Sequence, residues 1–273
     1  MLSKLIKHEL RASRRIMLPF LGAVLALSVL AGISTTAMEH QVDYSWLNVV
    51  YGLIIFAFVM GVMAVCVVAV VMMIQRFYKN LLGDEGYVSF TLPATVDEHI
   101  FAKLISSFIW FFATAVVVVL STFIMTATSL SAAFTEEGVV SINGMLNEVH
   151  FWEMFTGWDI AGYVLEGIVL LFVYSCSVCL HFYAAMAIGH SFASHKILYS
   201  ILSFLGLQFV RQLLSGSVLV GTNYTWFLDT LPTENAMTAV HSVMLIALAS
   251  TALFGAIYYV ITTFFLKKRL NLE

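Results

Sequence analysis

The stretch LNVVYGLIIFAFVMGVMAVCVVAVVMMI, residues 47–74, contains no Asp, Glu, Lys, Arg or His. The hydrocarbon of a bilayer is about 30 Å thick, so a spanning helix needs roughly 20 such residues at about 1.5 Å each. This stretch is long enough to cross, with tilt to spare. Five more qualify, at 17–37, 100–128, 157–189, 197–220 and 237–266. Strands of a membrane barrel would alternate apolar and polar residues, and runs such as AVVVVLSTFIM (115–125) do not. The sequence therefore predicts an all-α, polytopic integral membrane protein with six transmembrane helices.

Composition agrees. Of 273 residues, 61% are hydrophobic and 11% charged, with mean hydropathy +0.95; a soluble chain carries about 25% charge to wet its surface. A net charge of −3 and the scarcity of cations exclude a nucleic-acid-binding domain, so no nucleic-acid partner is expected. Cys66, Cys176 and Cys179 all lie within apolar runs, which argues against a disulfide framework.

Basic residues set the orientation. Lys4, Lys7, Arg11, Arg14 and Arg15 precede the first span; Arg76, Lys79 and Lys103 surround the loop after the second; Lys196 follows the fourth; Lys267, Lys268 and Arg269 lie in or beside the tail, 267–273. The connections 38–46, 129–156 and 221–236 hold none of these, though they carry acids. Both termini are expected in the cytoplasm. The remaining cation, Arg211, falls inside the fifth span.

At 100° per residue, the five N-terminal cations occupy one arc of about 100°, opposite Leu2, Leu5, Ile6, Ile16, Met17 and Phe20. Residues 1–16 thus read as an amphipathic helix lying in the interface, its cations toward anionic headgroups of the membrane lipid. Pro19 marks a bend into the first span.

Loop 75–99 reads QRFYKNLLGDEGYVSFTLPATVDEH. Gly83 and Gly86 bracket Asp84 and Glu85, a helix stop followed by a fresh start with acids at its positive end. Tyr87, Val88, Phe90 and Leu92 supply an apolar, aromatic face that suits a docking knob. Equally, those aromatics could pack on the chain's own helix ends. Thr95 through Glu98 has the spacing of a capping box opening the third helix.

MLSKLIKHELRASRRIMLPF (1–20) and RFYKNLLGDEGYVSFTLP (76–93) resemble the permease subunits of type-2 ABC transporters, especially the small six-helix kind common in Gram-positive bacteria. The resemblance implies an interfacial elbow helix at the start. It also implies a coupling helix in the second segment, where Gly83, Asp84, Glu85, Gly86, Tyr87 and Phe90 meet a separate ATPase. The implied partners are ABC ATPase subunits, which hold ATP and Mg, and a second permease copy or a related one. The implied activity is export. The competing classes are a membrane scaffold or immunity protein, and an ion-coupled carrier; no inverted repeat is visible to support the carrier.

Catalytic signatures are missing from the sequence, and no enzyme activity or resident cofactor is expected. There is no GxxxxGK[ST] and no HExxH; GHSFASHK (189–196) lacks the second glycine. Cys176, Cys179 and His181 form a CxxCxH within the fourth span, read as packing cysteines with a hydrogen-bonded histidine. His190 and His195 flank the following short loop. Within 129–156, Ile142, Met145, Leu146, Val149 and Trp152 recur at helical spacing, suggesting a second interfacial helix. In the sixth span Ala247, Thr251 and Gly255 form a face of small residues.

Polar residues inside the spans are the remaining signal. Glu166 and Arg211 each lie nine residues, about 14 Å, from the outer ends of the fourth and fifth spans. Matched depths lead to the expectation that they pair, either as a structural lock or beside a transport path, the alternative being that Arg211 snorkels outward. His181 falls in the same arc as Glu166, and Gln208 in the same arc as Arg211.

Overall fold

The computed structural model describes residues 2–39, 45–83, 86, 91, 94–129, 157–192, 194–221 and 236–268. Among these there is no strand. The helices are α1 (Leu2–Glu39), α2 (Ser45–Phe77), α3 (Val96–Ser129), α4 (Gly157–Gly189), α5 (Lys196–Gly221) and α6 (Ala236–Lys268), with a π-helical turn Tyr78–Leu82 continuing α2. All six α-helices are long and apolar enough to cross a membrane. The chain is an all-α polytopic membrane protein.

Two boundaries differ from the hydropathy reading. The second helical segment continues to Leu82 instead of ending at 74, and α3 opens at Val96 instead of 100. Polar residues such as Gln75, Arg76, Asp97 and Glu98 lower hydropathy without breaking a helix, so the apolar window closes before the hydrogen-bond ladder does. Helix α1 runs unbroken through Pro19, because one proline removes one backbone bond and leaves the flanking turns intact. Lys4, Lys7, Arg11, Arg14 and Arg15 are all exposed on it.

The helices fall into two compact units. One comprises Lys7–Met72 and Ile109–Asp159. Its core gathers Leu21, Val24 and Ala31 of α1 with Phe58 and Val65 of α2, and Trp110 and Val117 of α3 pack against them. Gly61 permits the close approach of α1, since a Cβ there would lie 3.1 Å from Leu27 Cδ1. Buried hydroxyls are satisfied within their own helices: Ser28 donates to the Leu25 carbonyl at 2.7 Å and Ser121 to that of Val118 at 2.9 Å. This removes the cost of placing them where no water can reach. Outward, Leu53, Phe56, Val119 and Phe123 are 61–69% exposed. Such a surface is a liability in water and matches lipid.

The other unit comprises Met1–Ile6, Met73–Phe108 and Ile160–Glu273. Phe77 of α2 stacks on Tyr183 of α4 at 3.9 Å with planes 9° apart, both rings fully buried. Tyr183 also reaches Ser107 of α3, hydroxyl to hydroxyl at 3.4 Å. Gly255 brings α6 against α4, where a Cβ would sit 3.6 Å from Ser177 Cβ. Of the three small residues expected to make a close face on α6, Gly255 makes this contact.

The turn joining α4 to α5 is tight. A Cβ on Gly189 would overlap Ser200 Oγ and lie 2.5 Å from the Ser200 backbone nitrogen, so only glycine fits. His195 closes the turn at φ 53°, in the left-handed region, and its carbonyl accepts the Tyr199 N–H at 3.1 Å. A histidine there costs about 1 kcal/mol relative to glycine.

Candidate functional site

In the second unit, the ends of α2, α4 and α6 gather with the starts of α3 and α5. Arg76, Lys79, Lys103, Lys196, Lys267 and Lys268 all lie on these segments, which we call the basic end. Gly83 stops the π-turn: its backbone is extended, and its N–H donates to the Tyr78 carbonyl at 2.8 Å. Gly86 is helical, buried, and donates its N–H to the Gly83 carbonyl at 2.8 Å. Asp84, Glu85, Tyr87 and Phe90 lie outside the described residues. The expected stop is thus present at Gly83; the expected fresh start lies mostly outside the described residues.

Helix α3 opens with a reciprocal capping box. The Thr95 N–H donates to Glu98 Oε2 at 3.0 Å and the Glu98 N–H to Thr95 Oγ1 at 3.2 Å, as the sequence spacing requires. Within the same first turn, Asp97 accepts the Tyr259 hydroxyl at 2.8 Å and the Lys267 ammonium at 2.9 Å, both from α6. Lys103, buried on the next turns of α3, donates to the Arg76 carbonyl at 3.0 Å. That carbonyl lies one residue before the end of α2, beside the π-turn. The first two turns of α3 therefore hold the end of α2 on one side and the end of α6 on the other.

Deeper in this unit two polar clusters stand on α4. Glu166 meets His241 of α6, whose Nδ1 lies 2.9 and 2.8 Å from the two carboxylate oxygens. Tyr163, one turn earlier, stacks on the same imidazole at 4.2 Å and 17°. Glu166 does not take the expected partner: among the described residues no ion pair joins it to Arg211. Matched depth fixes height along the helix but not direction around it, and Glu166 points to α6. His241 lies only five residues into α6 from Ala236, and the sequence reading passed over it. Its signal was available, as an ionisable residue inside an apolar run.

His181, fifteen residues later, lies between α5 and α6. Its Nε2 is 3.3 Å from the Phe204 carbonyl, and its ring meets Phe204 at 4.5 Å and Tyr258 at 4.8 Å, both nearly perpendicular. The hydrogen-bonded histidine expected here is present. With Nε2–H donating, Nδ1 is left as an acceptor, and among the described residues it has no partner; nor do the neighbouring Ser177 and Tyr258 hydroxyls. By contrast Ser175 donates to the Leu171 carbonyl at 2.7 Å. Arg211 lies close enough for its charge to act on both His181 and Tyr258. This fits the tilt of helical side chains toward their N-terminus, which directs Arg211 back along α5. Gln208 is exposed.

Among the described residues no group of three or more His, Cys, Asp or Glu could hold a metal ion. Cys176 is half-buried and Cys179 buried in the α4 packing. The expected interfacial helix within 129–156 lies outside the described residues. Comparison with protein-family models, with curated proteins and with solved structures yields no match.

Proposed function

We propose that this chain is the permease subunit of an ATP-driven exporter of the type-2 ABC class, with both termini cytoplasmic. It has no ATPase site of its own and couples to a separate ATPase through loop 75–99. Two permeases, identical or related, form the pathway with two ATPase chains that hold ATP and Mg.

The observation that supports this reading most is the bracing of the loop. Its entry is fixed by the π-turn and Gly83, and its exit by the capping box of Thr95 and Glu98. Lys103 and Asp97 tie that exit to α2 and α6. A force on the loop would reach three helices as a set, which is what alternating exposure of a cavity needs. The sequence resemblance of the same loop supplies the partner. Tyr87→Ala with Phe90→Ala should release the ATPase while the permease stays in the membrane, because aromatic anchors carry much of an interface's energy. Full partner binding and transport by the double variant would contradict the assignment.

An ion-coupled carrier is the second reading, favoured by the Glu166–His241 pair, since intramembrane carboxylate and imidazole groups serve proton relays. Transport that survives ATP depletion and stops when the proton gradient collapses would select it.

A further inference from the structure

A groove of about 490 Å³ opens between α2, α4 and α5 at the basic end. On α4 the lining runs from His190 through Met186 to Phe182, and on α5 from Ile197 through Ile201 to Phe204. These are rises of about 12 and 10 Å at 1.5 Å per residue. Since α4 and α5 are antiparallel, His190 and Ile197 mark the mouth, and Phe182 and Phe204 the floor. The two phenylalanines stack at 4.8 Å and 25° and close it. On α2, Tyr78 stands at the mouth, edge-on to His190 at 5.3 Å, with Gln75 one turn deeper and Ile74 beside it.

The groove is therefore apolar along its walls for about 10 Å below the helix ends. That depth is most of one leaflet, half of a roughly 30 Å core. Cations stand at the rim. Lys196 opens α5 next to Ile197, and its charge acts on His190. Lys79 follows the lining residue Tyr78 in the π-turn.

From this apolar slot and the lysines flanking its mouth we propose that the groove binds an anionic phospholipid of the leaflet at the basic end: one acyl chain against Met186, Ile201 and the phenylalanine floor, the headgroup phosphate at the rim near Lys196 and Lys79. The occupant is set by charge complementarity and by length. An apolar slot of leaflet depth fits an acyl chain, and its cationic rim selects a negative headgroup over a zwitterionic one. The site requires that the helices span a membrane but does not depend on the ATPase reading. A chain that binds no ATPase could still hold this lipid.

The test uses the full chain reconstituted in vesicles of phosphatidylcholine with one-fifth phosphatidylglycerol, with a trace of either lipid carrying a photoactivatable group near the end of one acyl chain. Peptide mapping should find the phosphatidylglycerol label concentrated on segments 182–190 and 197–204. Lys196→Gln should lower the preference for phosphatidylglycerol about fivefold, the effect of roughly one surface charge. Ile201→Trp, at a site 55% exposed and so tolerant of bulk, should reduce labelling of both segments with either lipid. Size-exclusion elution at the wild-type volume identifies variants that fold. Three results would overturn the proposal: labelling spread evenly over exposed positions such as Leu53 and Phe209, equal labelling by both lipids, or chain-to-chain cross-linking through cysteine at 201, which would place a second copy on the groove.

Discussion

Glu166 of α4 and His241 of α6 face each other at 2.8 Å, with Tyr163 stacked on the imidazole. The pair joins two helices far apart in sequence at a depth where a lone charge would be costly. Both side chains are about a third exposed, so the stabilisation is at the low end for a charge-assisted hydrogen bond, about 1 kcal/mol. Glu166→Ala and His241→Ala should each lower the melting temperature of the solubilised protein. The double variant should lose less than the sum. Additive losses would mean that the two groups do not interact, and rescue of Glu166→Arg by Arg211→Glu would return Glu166 to α5.

Gly189→Ala should disrupt the turn between α4 and α5. The added carbon meets backbone atoms of Ser200, which cannot rotate away as a side-chain tip could. A loss of at least about 1–3 kcal/mol is expected, the usual cost of overpacking. His195→Gly should act in the opposite sense, relieving a left-handed histidine by about 1 kcal/mol. Thermal unfolding of both variants in one detergent checks the pair of signs.

The contrast between these positions shows what was legible in the sequence. The Thr95–Glu98 box and the Gly83 stop were readable because their geometry is local: three or four residues carry both donor and acceptor. The six helices were readable because twenty apolar residues in a row have few alternatives. Partners of intramembrane groups were not, since the azimuth of a helix is fixed by packing with residues far off in the sequence, 75 positions away for Glu166. Glu166 turned to α6 for that reason, while His181 found the α5 backbone at Phe204. Gly189 gave no warning either, because its constraint is the approach of Ser200 and not a motif.

Acid should loosen the groove mouth. Burial pushes the His190 imidazole below its usual range; the Met186 carbonyl opposes this, and the Lys196 charge adds to it. The unfolded chain takes up this proton near pH 6.5, whereas the folded chain takes it up only at lower pH. The contribution of neutral His190 is thus fully present above about 6.5 and is lost as pH falls from there through the folded value. Melting temperatures measured from pH 7.5 to 5 should fall for the wild type, and less steeply for His190→Phe, which keeps a ring beside Tyr78 and cannot titrate. Identical slopes would show that His190 is not the group involved.

On the proposed orientation, cysteine at position 136 in an otherwise cysteine-free chain should react with an impermeant thiol reagent in intact cells. Cysteine at 84 or 268 should react only after the membrane is opened. Labelling of position 268 from outside would change the number of spans or turn the protein over.

The central claim is that this chain works with a separate ATPase, and co-purification from native membranes in a mild detergent tests it most directly. The account predicts that tagged chain brings down an ATP-hydrolysing subunit in equal number, with two permeases per complex, and that Tyr87→Ala with Phe90→Ala strips the ATPase away. A chain that elutes without any ATPase, from membranes where it is abundant and folded, would contradict it.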